Sequence, residues 1–231
     1  NNLNLNINAM KNSILFFLTL LLLYSLTSCF EQGDNSSTNF QNKDKNEVNF
    51  NDNKIKEINK EISGLLLELT QSNSPNKELI DSITAKYDEI IALKPNEYKV
   101  YISKAQLYVK LCNFESAIEI FEKVQGIKPD YAEIITYEGF LYYRLGNYKK
   151  ARELFKKSLI IYSKRIENTN KVEDKINKAY MYIFLGDKQK ANAELEKLKL
   201  ENPNSEHVLN MVNMAQELTI DSYLESILPP C

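Results

Sequence analysis

Hydrophobic residues follow two different patterns along the chain. Residues 14–26 form an almost unbroken apolar run of thirteen residues. From residue 54 onward apolar side chains recur every three or four positions, as in Ile55, Ile58 and Ile62. This second spacing places them on one face of a helix. The pattern therefore predicts an N-terminal apolar segment followed by a helical body.

A polar segment separates these two regions. Residues 30–53 contain seven Asn, few apolar side chains and no periodicity. Such a segment buries too little apolar surface to offset the entropy lost on ordering its chain. We expect residues 29–53 to be a disordered tether.

The composition favours an all-α fold and excludes several functions. Gly and Pro number only 6 each in 231 residues, too few for the many turns of a sandwich or barrel. A net charge of −2 provides no basic surface for nucleic acid. His207 is the only His, so neither a His-based metal site nor a Ser/His/Asp triad can form. We expect no catalytic residue, metal or cofactor.

The N-terminal apolar run has the features of a signal peptide. Lys11 precedes it, and thirteen apolar residues fall short of the roughly 17–25 that span a membrane. Met10 stands directly before Lys11. We expect translation to start at Met10 and residues 1–28 to be upstream sequence plus a signal peptide.

The residues after this run, Leu26-Thr27-Ser28-Cys29, resemble a bacterial lipobox. The resemblance implies cleavage before Cys29 and a lipid on its thiol, the group whose thiolate is a nucleophile. Several acyl chains together give a stable membrane anchor. The alternative is an ordinary signal peptide or an uncleaved anchor, with Cys29 incidental.

The residue after Cys29 bears on the location of the protein. It is Phe30 and not Asp, which resembles lipoproteins sorted to the outer membrane in enterobacteria. We expect a protein of the bacterial cell envelope, facing the periplasm from the outer membrane, with exposure at the cell surface left open.

Three segments share one pattern with a period of 34 residues: 98–131, 132–165 and 172–205. Small residues occupy the eighth and twentieth places, Tyr the eleventh, and Pro lies near the ends. These residues are Ala105, Gly139, Ala179, Ala117, Ala151, Ala191, Tyr108, Tyr142, Tyr182, Pro95, Pro129 and Pro203. Small residues let two helices approach closely, while Gly146 and Gly186 suit the left-handed turn between them.

This pattern is similar to the tetratricopeptide repeat family, whose period is 34 residues. The resemblance implies antiparallel helix pairs stacked as a short right-handed solenoid over residues 98–205. Residues 54–97 are expected to form an N-terminal capping helix pair, and residues 206–231 a C-terminal capping helix and tail. Residues 166–171 are inserted between repeats, and we expect the preceding helix to run on past Arg165.

The two remaining cysteines, Cys112 and Cys231, leave two interpretations open. They are far apart in sequence, without a C-x-x-C motif. They form a disulfide in an oxidising envelope, or Cys112 is simply a small residue at a turn.

The resemblance also implies a concave groove, lined by the first helix of each repeat, that binds a protein segment. Its expected residues are Lys99, Gln106, Lys110, Phe140, Tyr143, Arg144, Tyr180 and Phe184. Aromatic and Arg side chains dominate the energy of many interfaces. Alternatively, the aromatic residues pack under the C-terminal helix or against one another.

We therefore expect a non-enzymatic scaffold for protein–protein interactions, tethered to the envelope membrane through Cys29 and binding no nucleic acid. Its oligomeric state is left open. A solute- or glycan-binding lipoprotein would instead cluster Tyr142, Tyr143 and Tyr180 around a closed cavity. An envelope glycan hydrolase would need two buried carboxylates in one deep pocket.

Overall fold

The computed structural model of the protein describes residues 42–72 and 76–231. Within these residues it contains ten helices and no strand. The helices are α1 (Asn42–Gln71), α2 (Lys77–Leu93), α3 (Tyr98–Lys110), α4 (Phe114–Ile127), α5 (Ala132–Arg144), α6 (Tyr148–Thr169), α7 (Val172–Phe184), α8 (Lys188–Glu201), α9 (Glu206–Glu217) and α10 (Ile220–Ile227). The expected signal peptide, Cys29 and residues 30–41 lie outside the described residues.

Consecutive helices from α1 to α9 pack against each other. Helix pairs α3/α4, α5/α6 and α7/α8 occupy the three predicted repeats, and the pair α1/α2 precedes them. The predicted all-α, repeat-like solenoid is confirmed. None of the helices in the described ranges is both long and apolar enough to cross a membrane.

The second helix of each repeat begins at a capping residue. Asn113, Asn147 and Asp187 accept a hydrogen bond from the backbone N–H three positions later, at 3.1, 3.2 and 3.1 Å. Side-chain caps of this kind satisfy amide groups that have no partner inside the helix. The cap therefore sets where each second helix starts.

The turn before each cap has a left-handed residue. Gly146 and Gly186 have φ values of 78° and 80°, as their position in the repeat predicted. Cys112 takes the same place in the first repeat with φ 59°. A residue with a Cβ atom disfavours this conformation. The turn at Cys112 nevertheless has the same backbone hydrogen bond as the two glycine turns, with the Asn113 N–H donating to the Tyr108 carbonyl at 2.9 Å.

The first helix begins earlier than the sequence predicted. α1 starts at Asn42, so residues 42–53 of the expected disordered tether are helical. Asp52 pairs with Lys94 at 2.7 Å and Lys54 with Glu89 at 3.0 Å, which fastens this part of α1 to α2. Extending an existing helix is far easier than starting one, so a few such contacts suffice.

The helix before the insertion and the helices after the third repeat follow the predictions more closely. α6 continues past Arg165 to Thr169 and ends at Asn170, which has φ 52°. α9 lies where the C-terminal capping helix was expected. The eight-residue α10 shows that the following segment contains a further helix, which the sequence had left undecided.

Candidate functional site

An aromatic cluster lies where the first helices of the second and third repeats meet the C-terminal helix. Its centre consists of Phe140 on α5, Phe184 on α7 and Tyr223 on α10. The ring centroids of Phe140 and Phe184 are 5.0 Å apart, and each lies 5.1 Å from that of Tyr223. Phe140 is 3% exposed and Phe184 is 9% exposed, so Tyr223 closes the cluster.

Two further tyrosines complete the cluster. Tyr137 lies edge-on to Phe140, with centroids 6.5 Å apart, and Tyr180 lies edge-on to Phe184 at 6.3 Å. The Tyr180 hydroxyl donates to the backbone carbonyl of Met211 on α9 at 3.4 Å. Burial raises the pKa of Tyr180 well above its usual value and that of Tyr223 to about 12. These hydroxyl groups therefore stay protonated at neutral pH.

Residues 219–231, here named the C-terminal strap, hold Tyr223 in place. Thr219 and Ser222 cap the start of α10 by reciprocal hydrogen bonds, each 3.1 Å long. Leu224 and Leu228 are buried in the same apolar core as the aromatic cluster. The strap thus runs from the end of α9 across the first helices of two repeats.

The far end of the strap is covalently attached. Cys231 forms a disulfide with Cys112, with their Cα atoms 5.9 Å apart. Cys112 lies in the turn between α3 and α4, so the strap ends at the first repeat. Of the two interpretations of these cysteines, the structure has the disulfide.

This arrangement corrects the expected open groove. Phe140 and Phe184 are buried beneath the strap, and Tyr180 is buried against α9, so none of the three faces a partner in this structure. Of the two interpretations left open for these aromatic residues, packing under the C-terminal helix describes the observed state. The physical reason is that α10 is amphipathic and supplies the apolar surface that covers them.

The other expected groove residues remain more accessible. Tyr143 is half-buried, with its ring centroid 4.8 Å from that of Tyr148. Burial raises the pKa of Tyr143, as does a hydrogen bond to the Asp221 carboxylate of the strap. Lys99 and Gln106 are half-buried, and Lys110 and Arg144 are exposed. A role of these side chains in binding stays a prediction.

Comparison with protein families agrees with the repeat pattern. Models described as "Tetratricopeptide repeat" match residues 98–131, 132–165 and 177–205. These three helix pairs are tetratricopeptide repeats. Stacked repeats of this kind present extended surfaces to other proteins, which supports a protein-interaction scaffold.

Solved structures with a similar fold are only distantly related in sequence. A thermophilic tetratricopeptide repeat protein of Thermus thermophilus is 20% identical, with 61% of this chain and 75% of that chain covered and a TM-score of 0.44. MamA from Desulfovibrio magneticus is 15% identical over 72% and 99% of the two chains, with a TM-score of 0.40. An assembly chaperone of RpL4, Acl4, is 15% identical over 73% and 60%, with a TM-score of 0.40. A search of curated proteins found no match.

The signature residues of the tetratricopeptide repeats have the structural roles that the pattern predicted. All six small residues at the eighth and twentieth positions are buried, whereas the tyrosines at the eleventh are half-buried. Pro95, Pro129 and Pro203 each lie two residues beyond the end of a helix. Tyr142 donates to the Glu122 carboxylate at 3.4 Å. It thus belongs to the contact between repeats, in surroundings different from those of Tyr180.

The second repeat has a buried carboxyl group at its seventh position, which the sequence pattern did not predict. Glu138 is 1% exposed and accepts a hydrogen bond from the Gln125 side chain. Burial raises the pKa of Glu138 to about 7. The other repeats have Lys104 and Lys178 at this position, which pair with Asp88 at 2.6 Å and Glu194 at 2.5 Å. An acidic residue at a position where the other two repeats have Lys was the signal in the sequence for this buried carboxyl group.

A second buried acid is part of the junction around the insertion. Arg165 on α6 binds both carboxylate oxygens of Glu133, at 2.7 and 3.2 Å, and the Asp130 carbonyl at 2.8 Å. Its guanidinium also lies 3.6 Å from the carboxylate of Asp174 on α7. Glu138 and Asp174 thus have different partners on different helices. Arg165 joins the extended α6 to the start of two repeats.

Proposed function

We propose that the protein is a non-enzymatic scaffold for protein–protein interactions, held at the membrane of the bacterial cell envelope by a lipid on Cys29. The observation that carries the proposal is the order of features along the chain. Three tetratricopeptide repeats follow a short apolar run that ends in Leu26-Thr27-Ser28-Cys29. The repeats supply the binding surface, and the lipid supplies the location.

The disulfide between Cys112 and Cys231 supports an exported protein. Disulfides form and persist in oxidising compartments, such as the bacterial periplasm, and are rare where thiols are kept reduced. Together with Phe30 after Cys29, it favours the outer membrane with the repeats facing the periplasm.

Labelling with a fatty acid tests the anchor. The full-length protein, expressed in a bacterium that is fed an alkyne-labelled fatty acid, should incorporate the label and enter the detergent phase on phase separation. The Cys29→Ser variant should do neither, because serine lacks the acceptor thiol. Labelling of the Cys29→Ser variant, or no label on the unchanged protein, would contradict the lipid anchor.

The exposed cations beside the strap are the proposed contact for a protein partner. Lys110 and Arg144 are both exposed at the ends of first helices, where they can pair with an acidic group. Charged groups at the edge of an interface chiefly guide association and choose partners. The partner surface is therefore expected to be acidic where it meets Arg144.

Crosslinking in the native envelope tests this contact. The unchanged protein should capture a specific envelope protein, and the Arg144→Glu variant should lose it. Lys149→Glu is the matched control, because it makes the same charge change at an exposed residue five positions along the chain. Equal capture by both variants would place the interface elsewhere, and no capture by any form would contradict the scaffold.

A further inference from the structure

The C-terminal strap occupies the surface that the repeats would otherwise present. It is continuous with α9 through Leu218 at one end and bonded to Cys112 at the other. Between these two attachments, the Tyr223 ring packs against Phe140 and Phe184. The strap therefore behaves as a ligand that the protein supplies to itself.

The strap is too short to be a stable structure without its contacts. α10 has eight residues, whereas isolated helices shorter than about 12–15 residues are marginal in water. Its helical form depends on the burial of Leu224 and Leu228 against the repeats, together with the ring of Tyr223. Once lifted from this surface, the strap should lose its helix.

The attachment to Cys112 limits such lifting. With the disulfide in place, the strap is held at both ends. It can then move away from the repeats only as far as these two attachments allow. Without it, the strap is held at Leu218 alone, and its position depends on the few apolar contacts of α10. Cys231 is exposed and Cys112 is half-buried, so a reductant is expected to attack the bond at Cys231.

We propose that the C-terminal strap is a redox-controlled cover, and that reduction of the Cys112–Cys231 disulfide frees it and opens the aromatic cluster to an amphipathic helix of a partner protein. The inference rests on the scaffold function proposed above and adds its regulation. The structure is the closed, oxidised state.

The reaction needs a dithiol reductant of the thioredoxin class. One of its thiolates attacks Cys231 Sγ, the bond to Cys112 Sγ breaks, and Cys112 leaves as a thiolate that takes up a proton. The second thiolate of the reductant then attacks the reductant's other sulfur, which is bonded to Cys231 in the mixed disulfide. This step releases Cys231 as a thiolate, which is also protonated. The protein gains two electrons and two protons, and the reductant ends as a disulfide.

The strap itself defines the chemistry of the partner. It offers an aromatic ring at Tyr223, aliphatic side chains at Leu224 and Leu228, and a carboxylate at Asp221 that meets Tyr143. A partner helix needs the same combination. It competes with a strap still tethered at Leu218, whose effective concentration is on the order of millimolar. Reduction thus allows a partner helix to replace the strap, while the strap still occupies the aromatic cluster for part of the time.

Hydrogen exchange of the full-length protein in detergent tests the opening, without needing any partner. We expect reduction by dithiothreitol to speed exchange in α10 about tenfold, while α5 and α7 keep their rates. The Cys112→Ser/Cys231→Ser variant should show the fast α10 rates with or without reductant, which controls for other effects of the reagent.

Two results would overturn the proposed cover. Unchanged exchange in α10 after reduction would show that apolar contacts alone hold the strap. Faster exchange in α5 and α7 as well would show that the disulfide holds the repeat stack together and not a separable strap. Neither result bears on whether the repeats bind a partner elsewhere, so failure of the cover and failure of the scaffold are distinguishable.

A synthetic peptide tests the chemistry of the opened surface. The probe is a fluorescent peptide of residues 219–231 with serine at position 231, added to the Tyr223→Ala protein, whose own strap is weakened. We expect binding after reduction only, and binding about tenfold weaker for the same peptide carrying Tyr223→Ala. Equal binding by both peptides would contradict aromatic recognition. A concentration-dependent dimer on reduction would show that a second copy of the strap, and not another protein, is the occupant.

Discussion

Gly139 on α5 and Phe155 on α6 are in direct contact across the helix pair of the second repeat. A Cβ atom at position 139 would lie 2.6 Å from Cε1 of Phe155. Phe155 is itself held by Phe140 and Phe184, at centroid distances of 5.4 and 5.7 Å. The close approach of the two helices and the aromatic cluster therefore form one packing unit.

A methyl group at position 139 should destabilise the protein. Gly139→Ala is expected to lower the free energy of unfolding by about 1–3 kcal/mol, because the Phe155 ring has little room to move. Gly126→Ala is the control, because a Cβ there meets nothing within 4 Å. That helical substitution should be neutral or stabilise by up to about 1 kcal/mol. Urea unfolding of both variants measures the difference, and equal values would contradict the close contact.

Truncation of Phe184 distinguishes two interpretations of the aromatic residues, which either pack under the C-terminal helix or face an open groove. Since Phe184 packs against four other rings, Phe184→Ala should lower the free energy of unfolding by about 3–5 kcal/mol. Leu200→Ala, at a side chain that is 79% exposed, should change it by less than about 0.5 kcal/mol. Similar small effects in denaturant unfolding would show that Phe184 faces solvent.

The buried carboxyl group of Glu138 predicts a pH dependence of stability. Its pKa is raised from an ordinary 4.5 to about 7, chiefly by burial. Between these values the folded state binds more protons than the unfolded state, so the free energy of unfolding should fall as pH rises from 4.5 to 7. A shift of this size corresponds to about 3 kcal/mol.

Glu138→Gln should remove this dependence while keeping a group that bonds to Gln125. We expect the variant to gain stability relative to the unchanged protein as pH rises through that window, with the full difference above pH 7. Glu153→Gln, at an exposed position, is the control. Thermal or urea unfolding across this pH range checks the prediction, and parallel curves for Glu138→Gln and the unchanged protein would refute it.

The junction around Arg165 should depend on the geometry of its guanidinium as well as on its charge. Arg165→Ala is expected to lower the free energy of unfolding by about 2 kcal/mol, because Asp174 is left buried without its cation. Arg165→Lys should lose less, since it keeps the charge but not both bonds to Glu133. Lys164→Ala, at an exposed neighbour, serves as the control. Hydrogen exchange at the end of α6 should rise with the same ranking.

Most of the helical framework was predictable because its signals are local. The capping residue Asn147, the left-handed Gly146 and Pro129 act within a few residues of their own position. The insertion at 166–171 was also predictable as an extension of α6, because nothing in the sequence ends that helix at Arg165. Burial of Glu138 was harder to foresee, since it depends on Gln125 from the preceding helix.

The amino-acid order alone establishes the period of 34 residues, the small residues that let paired helices meet, and the turns between them. It does not establish what covers Phe140 and Phe184, which depends on how the helices stack. An apolar face on α10 shows that the helix needs a partner surface, but its periodicity does not say which surface that is. Likewise, Cys112 and Cys231 are 119 positions apart, and only the path of the folded chain brings them together. Contacts between residues far apart in sequence depend on how all the intervening helices stack, so no local sequence pattern predicts these contacts.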